Sequence, residues 1–228
     1  MIRVLFQGDS ITDGLRLKDP QKRWDLNHQI GHSYVFSVVG KLGRKYPGKY
    51  CFINRGVSGD SVETITKRWK TDTLDENPDV LSLLLGVNGN GNFDGEFSEG
   101  IEAHLNAFEK GYRNLLQTAR AQNPNLKLII MEPFCLANRQ KDAEKFQMFK
   151  PVFTRKQKIV KQIAEDFGAI FIPIQEKLDA LVAKTESVLS ANDCKIDAMA
   201  YWLWDGVHPT EQMHDFLAEL WLDAVKDL

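Results

Sequence analysis

The sequence predicts an α/β fold of three layers, with helices on both faces of a parallel β-sheet. Three observations lead there. Five short apolar-rich runs recur along the chain, each bounded by polar or glycine-containing turns. Between them lie longer stretches in which apolar residues return with the 3.6-residue period of a helix. The chain has 228 residues, a length that one α/β domain spanning 1–228 can fold around a single core.

The runs Ile2–Gln7, Tyr50–Asn54, Val80–Leu85, Lys127–Glu132 and Ala169–Ile172 are short and apolar, as strands covered on both faces are. His32–Tyr46 is the first helix, with Tyr34, Val35, Val38, Val39 and Leu42 on one side. Ser61–Leu74, Gly100–Arg120 and Val152–Phe167 follow between later strands, and Gln175–Leu189 and Glu211–Val225 close the chain. The sequence contains no internal repeat and no low-complexity tract. In parallel sheets of this kind, ligands bind beyond the carboxyl ends of the strands, where strand order reverses. The strand-to-helix junctions are therefore the places to look for chemistry.

Composition narrows the classes of function. Hydrophobic residues make up 43% and charged residues 26% of the chain, with a formal net charge of −2. That balance predicts no general attraction to nucleic acid or to an anionic membrane. No apolar run approaches the ~20 residues needed to cross a bilayer. Met1-Ile2-Arg3-Val4-Leu5-Phe6 reads as a strand and not as a signal peptide, which points to a cytoplasmic protein. Cys51, Cys135 and Cys194 cannot all pair with one another, and their spacing matches no zinc motif. Cys51 and Cys135 read as small buried thiols. No metal site is expected, because His208 and His214 are six apart, off the i, i+4 register of two helical ligands.

Four segments carry chemistry. Gly8-Asp9-Ser10-Ile11-Thr12-Asp13 places a serine at the carboxyl end of the first strand, where free backbone N–H groups can support negative charge. Asn54-Arg55-Gly56-Val57-Ser58-Gly59-Asp60 follows the second strand, and its glycines allow the backbone to approach a ligand closely. Leu85-Gly86-Val87-Asn88-Gly89-Asn90 follows the third, where the Asn88 amide can donate to an oxyanion without being ionised. Trp204-Asp205-Gly206-Val207-His208-Pro209-Thr210 sets a carboxylate three residues from an imidazole, close enough to hold it in one tautomer. Each segment has a plain structural reading: a helix cap at Ser10, tight turns at the glycines, a loop at Asn88, and Thr210 as the N-cap of the last helix. Jointly they supply a nucleophile, a base, an orienting acid and three oxyanion donors, namely the N–H groups of Ser10 and Gly59 and the Asn88 amide.

Those blocks, in that order, resemble the SGNH (GDSL) hydrolase family over nearly the whole chain. The resemblance implies that Ser10, Gly59, Asn88 and His208 are the four name-giving residues and that Asp205 is the triad acid. It implies a flavodoxin-like fold with a five-stranded parallel sheet ordered 2-1-3-4-5, and it implies no cofactor. One residue departs from the family pattern: the aspartate usual after the third-block asparagine is Gly89 here. Within the family, Asn54–Gly59, Met131–Phe134, Val160–Glu165 and Trp204–Pro209 are similar to acetyl-xylan-esterase-like members. A serine esterase acting on short acetyl esters of a carbohydrate is therefore expected, and assembly into a homo-oligomer is implied by the resemblance alone.

The substrate wall is read from aromatic and polar residues near these blocks. Arg23 and Trp24 lie in the polar insert Lys18–Gly31, and Asp9 and Trp204 flank the nucleophile and the acid. Tyr201 and Trp202 are further stacking candidates. The competing readings are a lysophospholipase or thioesterase acting on longer acyl groups, and a carbohydrate-binding relative without catalysis. A nucleotide-binding domain lacks both G-x-G-x-x-G and a P-loop after the first strand.

Overall fold

Strand β1 (Ile2–Gly8) sits near the middle of a five-stranded sheet, with β2 (Tyr50–Asn54) on one side and β3 (Val80–Leu84) on the other. Strands β4 (Lys127–Met131) and β5 (Ile170–Ile172) extend the sheet beyond β3, giving the order β2-β1-β3-β4-β5. Every pairing is parallel, with Phe6 opposite both Asn54 and Ser82, and Leu83 opposite Ile130. The expected three-layer α/β fold and its strand order are thus observed. The structure is a computed structural model and describes residues 1–19, 29–89, 100–137, 143–192 and 195–226.

Alternation along the strands builds the two cores. Val4 and Phe6 of β1, Val80 and Leu84 of β3, and Ile129 and Met131 of β4 face one helical layer. Leu5, Leu81, Leu83, Leu128 and Ile130 face the other. The first layer contains α2 (Tyr34–Lys45) and the last helix, α8 (Glu211–Ala224), which pack together. Trp221 of α8 lies 5.2 Å from the Phe6 ring and donates its indole N–H to Ser82 Oγ at 2.9 Å. Each such buried apolar side chain stabilises the fold by roughly 1.5–3 kcal/mol. The second layer is α3 (Val62–Trp69), α4 (Ile101–Gln122) and the end of α5 (Ala143–Asp166). Among the described residues no helix is long and apolar enough to cross a membrane.

Four elements differ from the sequence expectation. Helix α5 begins at Ala143, nine residues before the expected Val152, and runs through Pro151. A proline inside a helix costs about 3 kcal/mol. Burial of Phe146, Phe149 and Phe153, the last two stacked at 5.3 Å, offsets it. The stretch Ser61–Leu74 is not one helix: α3 gives way to a π-helical turn at Lys70–Leu74, where the Asp72 carbonyl and Thr73 Oγ1 accept from the buried Gln7 amide. The helices α1 (Ser10–Asp13) and α7 (Ala198–Trp202) are too short to show a period in the sequence, whereas α6 (Gln175–Ala191) lies where expected. Cys135 is buried and Cys51 half-buried, no disulfide occurs among the described residues, and Cys194 lies outside them.

Candidate active site

The serine turn follows β1 with no intervening loop. Asp9 is the N-cap of α1, its Oδ1 accepting from the Ile11 N–H at 3.0 Å, which places Ser10 at the first helical position. The turn is held from below by the second junction. Asn54 Nδ2 donates to the Thr12 carbonyl at 2.7 Å, and Val57 N–H donates to the Gly8 carbonyl at 3.0 Å. The buried Asp13 carboxylate accepts from Ser58 N–H at 2.9 Å and from Ser58 Oγ at 2.8 Å. Gly56 is required by this approach, since a Cβ there would lie 2.5 Å from the Asp13 nitrogen.

The histidine arrives from the other end of the chain. A hairpin-like turn, closed by a bridge between Leu203 and Pro209 and by Trp204 N–H donating to the His208 carbonyl at 3.2 Å, holds Asp205 beside His208. Asp205 Oδ2 meets His208 Nδ1 at 2.7 Å. Asp205 Oδ1 accepts from the backbone N–H groups of Val207, at 3.0 Å, and His208, at 2.8 Å. Partial burial pushes the carboxyl pKa up, but these hydrogen bonds outweigh it and hold the group below the usual carboxylate range. With Nδ1–H donating to Asp205, Nε2 is left to accept, and it lies 2.9 Å from Ser10 Oγ. Such a series can remove the hydroxyl proton as Oγ attacks an electrophile.

The remaining polar groups converge on the same edge of the sheet. Asn88 follows β3 and donates from Nδ2 to the Asp60 carbonyl at 3.0 Å, which ties it to the residue after Gly59. An amide carries a second N–H, free to point elsewhere. Gly59 has φ +87°, a left-handed conformation that glycine takes without strain, and it is exposed. Asp60 in turn accepts from Arg68 Nε at 2.6 Å and from Thr64 Oγ1 at 2.9 Å. Arg68 also donates to the Arg55 carbonyl, Asp72 and Gln7. One guanidinium therefore ties the second junction to β1 and to the π-helical turn, a role for a planar five-donor fork. A cavity of about 530 Å³ opens beside Asn88 and Gly89, lined also by Ser61, Val62, Phe108 and Lys156.

Of the expected substrate contacts, Trp204 is exposed and stacks on the His208 ring at 5.7 Å. Asp9 is not placed to meet a substrate: it is 1% exposed, because its carboxylate turns inward to cap α1. Trp202 is half-buried against Phe216 and donates to Thr185 Oγ1, so its indole is engaged in packing. Thr210 is the N-cap residue of α8, but its hydroxyl donates backward to the carbonyls of Tyr201 and Trp202 and caps no N–H. Arg23 and Trp24 lie outside the described residues. The supporting roles of Asn54, Asp13, Ser58 and Arg68 escaped the sequence reading, since a polar residue in a turn gives no sign of which distant backbone group it will meet. No cluster of potential metal ligands occurs among the described residues.

The arrangement has known counterparts. The GDSL-like Lipase/Acylhydrolase family model matches residues 6–216. The acetylxylan esterase of Geobacillus stearothermophilus is 29% identical over 226 residues, 98% of this chain and 93% of that protein. Its crystal structure, of the enzyme Axe2, superposes with a TM-score of 0.71 over 98% of this chain and 94% of that one, at 27% identity. Solved catalytic mutants of Axe2 exchange a serine, an aspartate and a histidine for alanine. A protein from Parabacteroides merdae described as a GDSL-like lipase superposes with a TM-score of 0.81 at 30% identity, covering 99% of this chain and 95% of its own. With the family profile spanning most of its length and the fold shared throughout, the chain belongs to the GDSL-like lipase/acylhydrolase family, a family of ester hydrolases.

Proposed function

We propose that the chain hydrolyses short acetyl esters of a carbohydrate by a serine mechanism in which Ser10 is the nucleophile, His208 the base and Asp205 the orienting acid. The observation that carries this reading is the unbroken series Ser10 Oγ, His208 Nε2, His208 Nδ1 and Asp205 Oδ2, with contacts of 2.9 and 2.7 Å. Oγ attacks the ester carbonyl as His208 takes its proton. The N–H groups of Ser10 and Gly59 and the Asn88 amide receive the oxyanion, each such donor being worth about 10²–10³ in rate. His208 then protonates the leaving alcohol, and water, deprotonated by the same imidazole, releases acetate from the acyl-enzyme.

The carbohydrate part of the proposal is supported by the likeness to Axe2, described as an acetyl-xylooligosaccharide esterase. It is supported also by Trp204, an exposed aromatic face next to the imidazole on which a sugar ring can stack. A second reading, hydrolysis of longer acyl groups, draws on the partly apolar cavity of about 530 Å³ beside Asn88.

Acetate release from acetylated xylo-oligosaccharide and from p-nitrophenyl acetate, with Ser10→Ala alongside, tests the proposal. Release from both by the wild type alone is expected. Equal turnover by Ser10→Ala refutes the serine mechanism. Across p-nitrophenyl esters of increasing length, a rate that falls beyond butyrate is expected, and one that rises favours the second reading.

A further inference from the structure

Helix α5 buries a lysine among apolar side chains. Lys156 is 0% exposed, and its ammonium lies 4.7 Å from the centre of the Phe108 ring of α4. Nζ donates to the Gly89 carbonyl at 3.1 Å and reaches the Asn88 carbonyl at 3.4 Å. Both carbonyls belong to the turn that presents the Asn88 amide. That turn is thus gripped twice, by Lys156 through its backbone and by the Asp60 carbonyl through the Asn88 side chain. Gly89, at φ +70°, has no side chain with which to brace it.

Burying an ammonium is expensive, and an apolar side chain of the same length would fill this space at lower cost. Burial pushes the Lys156 pKa down to about 7, which records that cost. His104 of α4 is itself held down to about 4 by burial and by Lys156, so it is neutral above that pH, and Glu63 of α3 stands across the cavity. A strained ionisable group at the margin of a reactive centre is more often kept for function than for stability.

We propose that Lys156 is a positioning residue of the reaction, fixing the Asn88–Gly89 turn so that the Asn88 amide stays aimed at the developing oxyanion. The inference rests on the esterase reading with Asn88 as an oxyanion donor. Lys156 touches no reacting atom, so it works through Asn88. A preorganised donor loses much of its effect when its backbone is free to shift.

The test is a double-mutant cycle with the full chain and p-nitrophenyl acetate, using Lys156→Met, Asn88→Ala and the two combined, together with thermal unfolding of each. Asn88→Ala is expected to lower kcat about 10²–10³-fold. Lys156→Met is expected to lower kcat by about tenfold with KM within about twofold and no loss of thermal stability, the size of a donor displaced but not deleted. The double variant is expected to be no slower than Asn88→Ala alone. Unchanged kcat in Lys156→Met, or losses that multiply in the double variant, overturn the inference and leave the Asn88 reading standing. Full activity in Asn88→Ala overturns both. If Lys156→Met does not fold, Lys156→Gln, which gives up the charge but keeps N–H donors, takes its place, and multiplying losses again overturn the inference.

Discussion

The Trp204 indole lies over the His208 imidazole, the ring centres 5.7 Å apart and the planes 21° from parallel, while 63% of the tryptophan remains exposed. One face of the indole thus supports the imidazole and the rest meets solvent. Trp204→Ala is expected to raise KM for acetylated xylo-oligosaccharide about three- to tenfold, the worth of one aromatic stacking contact. KM for p-nitrophenyl acetate, which has no sugar ring, should change less. Steady-state kinetics on both substrates checks the difference, and equal changes in KM would remove Trp204 from the sugar site.

Asp205→Asn should be more damaging than its near-identical shape suggests. The asparagine Oδ1 can still accept from the backbone N–H groups of Val207 and His208, so the turn survives. Its NH₂ then faces Nδ1, which must become the acceptor, leaving Nε2 protonated toward Ser10. In that tautomer the imidazole cannot take the serine proton. A fall in kcat of about 10⁴ with an unchanged circular dichroism spectrum is expected.

Gly56→Ala tests the bracing of the serine turn. The new methyl would meet backbone atoms of Thr12 and Asp13 at 2.5–3.0 Å, none of which can rotate away. Destabilisation of about 1–3 kcal/mol is expected, with a loss of kcat as the Ser10 turn shifts. Urea denaturation and turnover on p-nitrophenyl acetate measure the two effects. A variant with wild-type stability would show that the two loops are not in this contact.

Acid should weaken the fold through His214. This histidine accepts the Tyr34 N–H at Nδ1 with a distance of 3.1 Å, at the start of α2. Burial chiefly, offset by Glu211 and reinforced by His208, pushes its pKa down to about 4. The unfolded chain binds this proton near pH 6.5, so between about 6.5 and 4 the unfolded state holds more protons. The stabilising contribution is therefore complete above about pH 6.5 and lost as pH falls toward 4, on the order of 3 kcal/mol in full. Denaturant melts at stepped pH should show a shallower slope in His214→Gln. His104, pushed down to about 4 by burial and by Lys156, titrates in the same window and keeps the slope from vanishing.

The sheet was legible because its strands are continuous apolar runs, and so was the placement of Ser10 and Asn88 after strands and of Asp205 beside His208, because each of those positions is set by a strand end or a short turn. Local residue chemistry does not encode partners that lie far along the chain. The grip of Asn54 on Thr12, 42 residues apart, and of Arg68 on Gln7, 61 apart, exists only after the strands have paired. Asp9 illustrates the opposite error: adjacency to the serine suggested contact with a ligand, whereas the helix start needed its carboxylate for an N–H. The early start of α5 was hidden by Pro151, whose local cost tertiary burial outweighs.

Ser10 and His208 are separated by 198 positions yet share one hydrogen bond. The serine stands at the first turn of the chain, and the imidazole waits on the turn that leads into the last helix, seated against the sheet by Trp221 on Phe6. The proposed proton path therefore closes only when the β1 turn and the turn before α8 have met across the finished sheet. Under the mechanism proposed above, turnover is a reading of complete folding: a chain stopped before residue 203 would carry Ser10 with no base, and ester hydrolysis would begin only once the turn bearing His208 is in place.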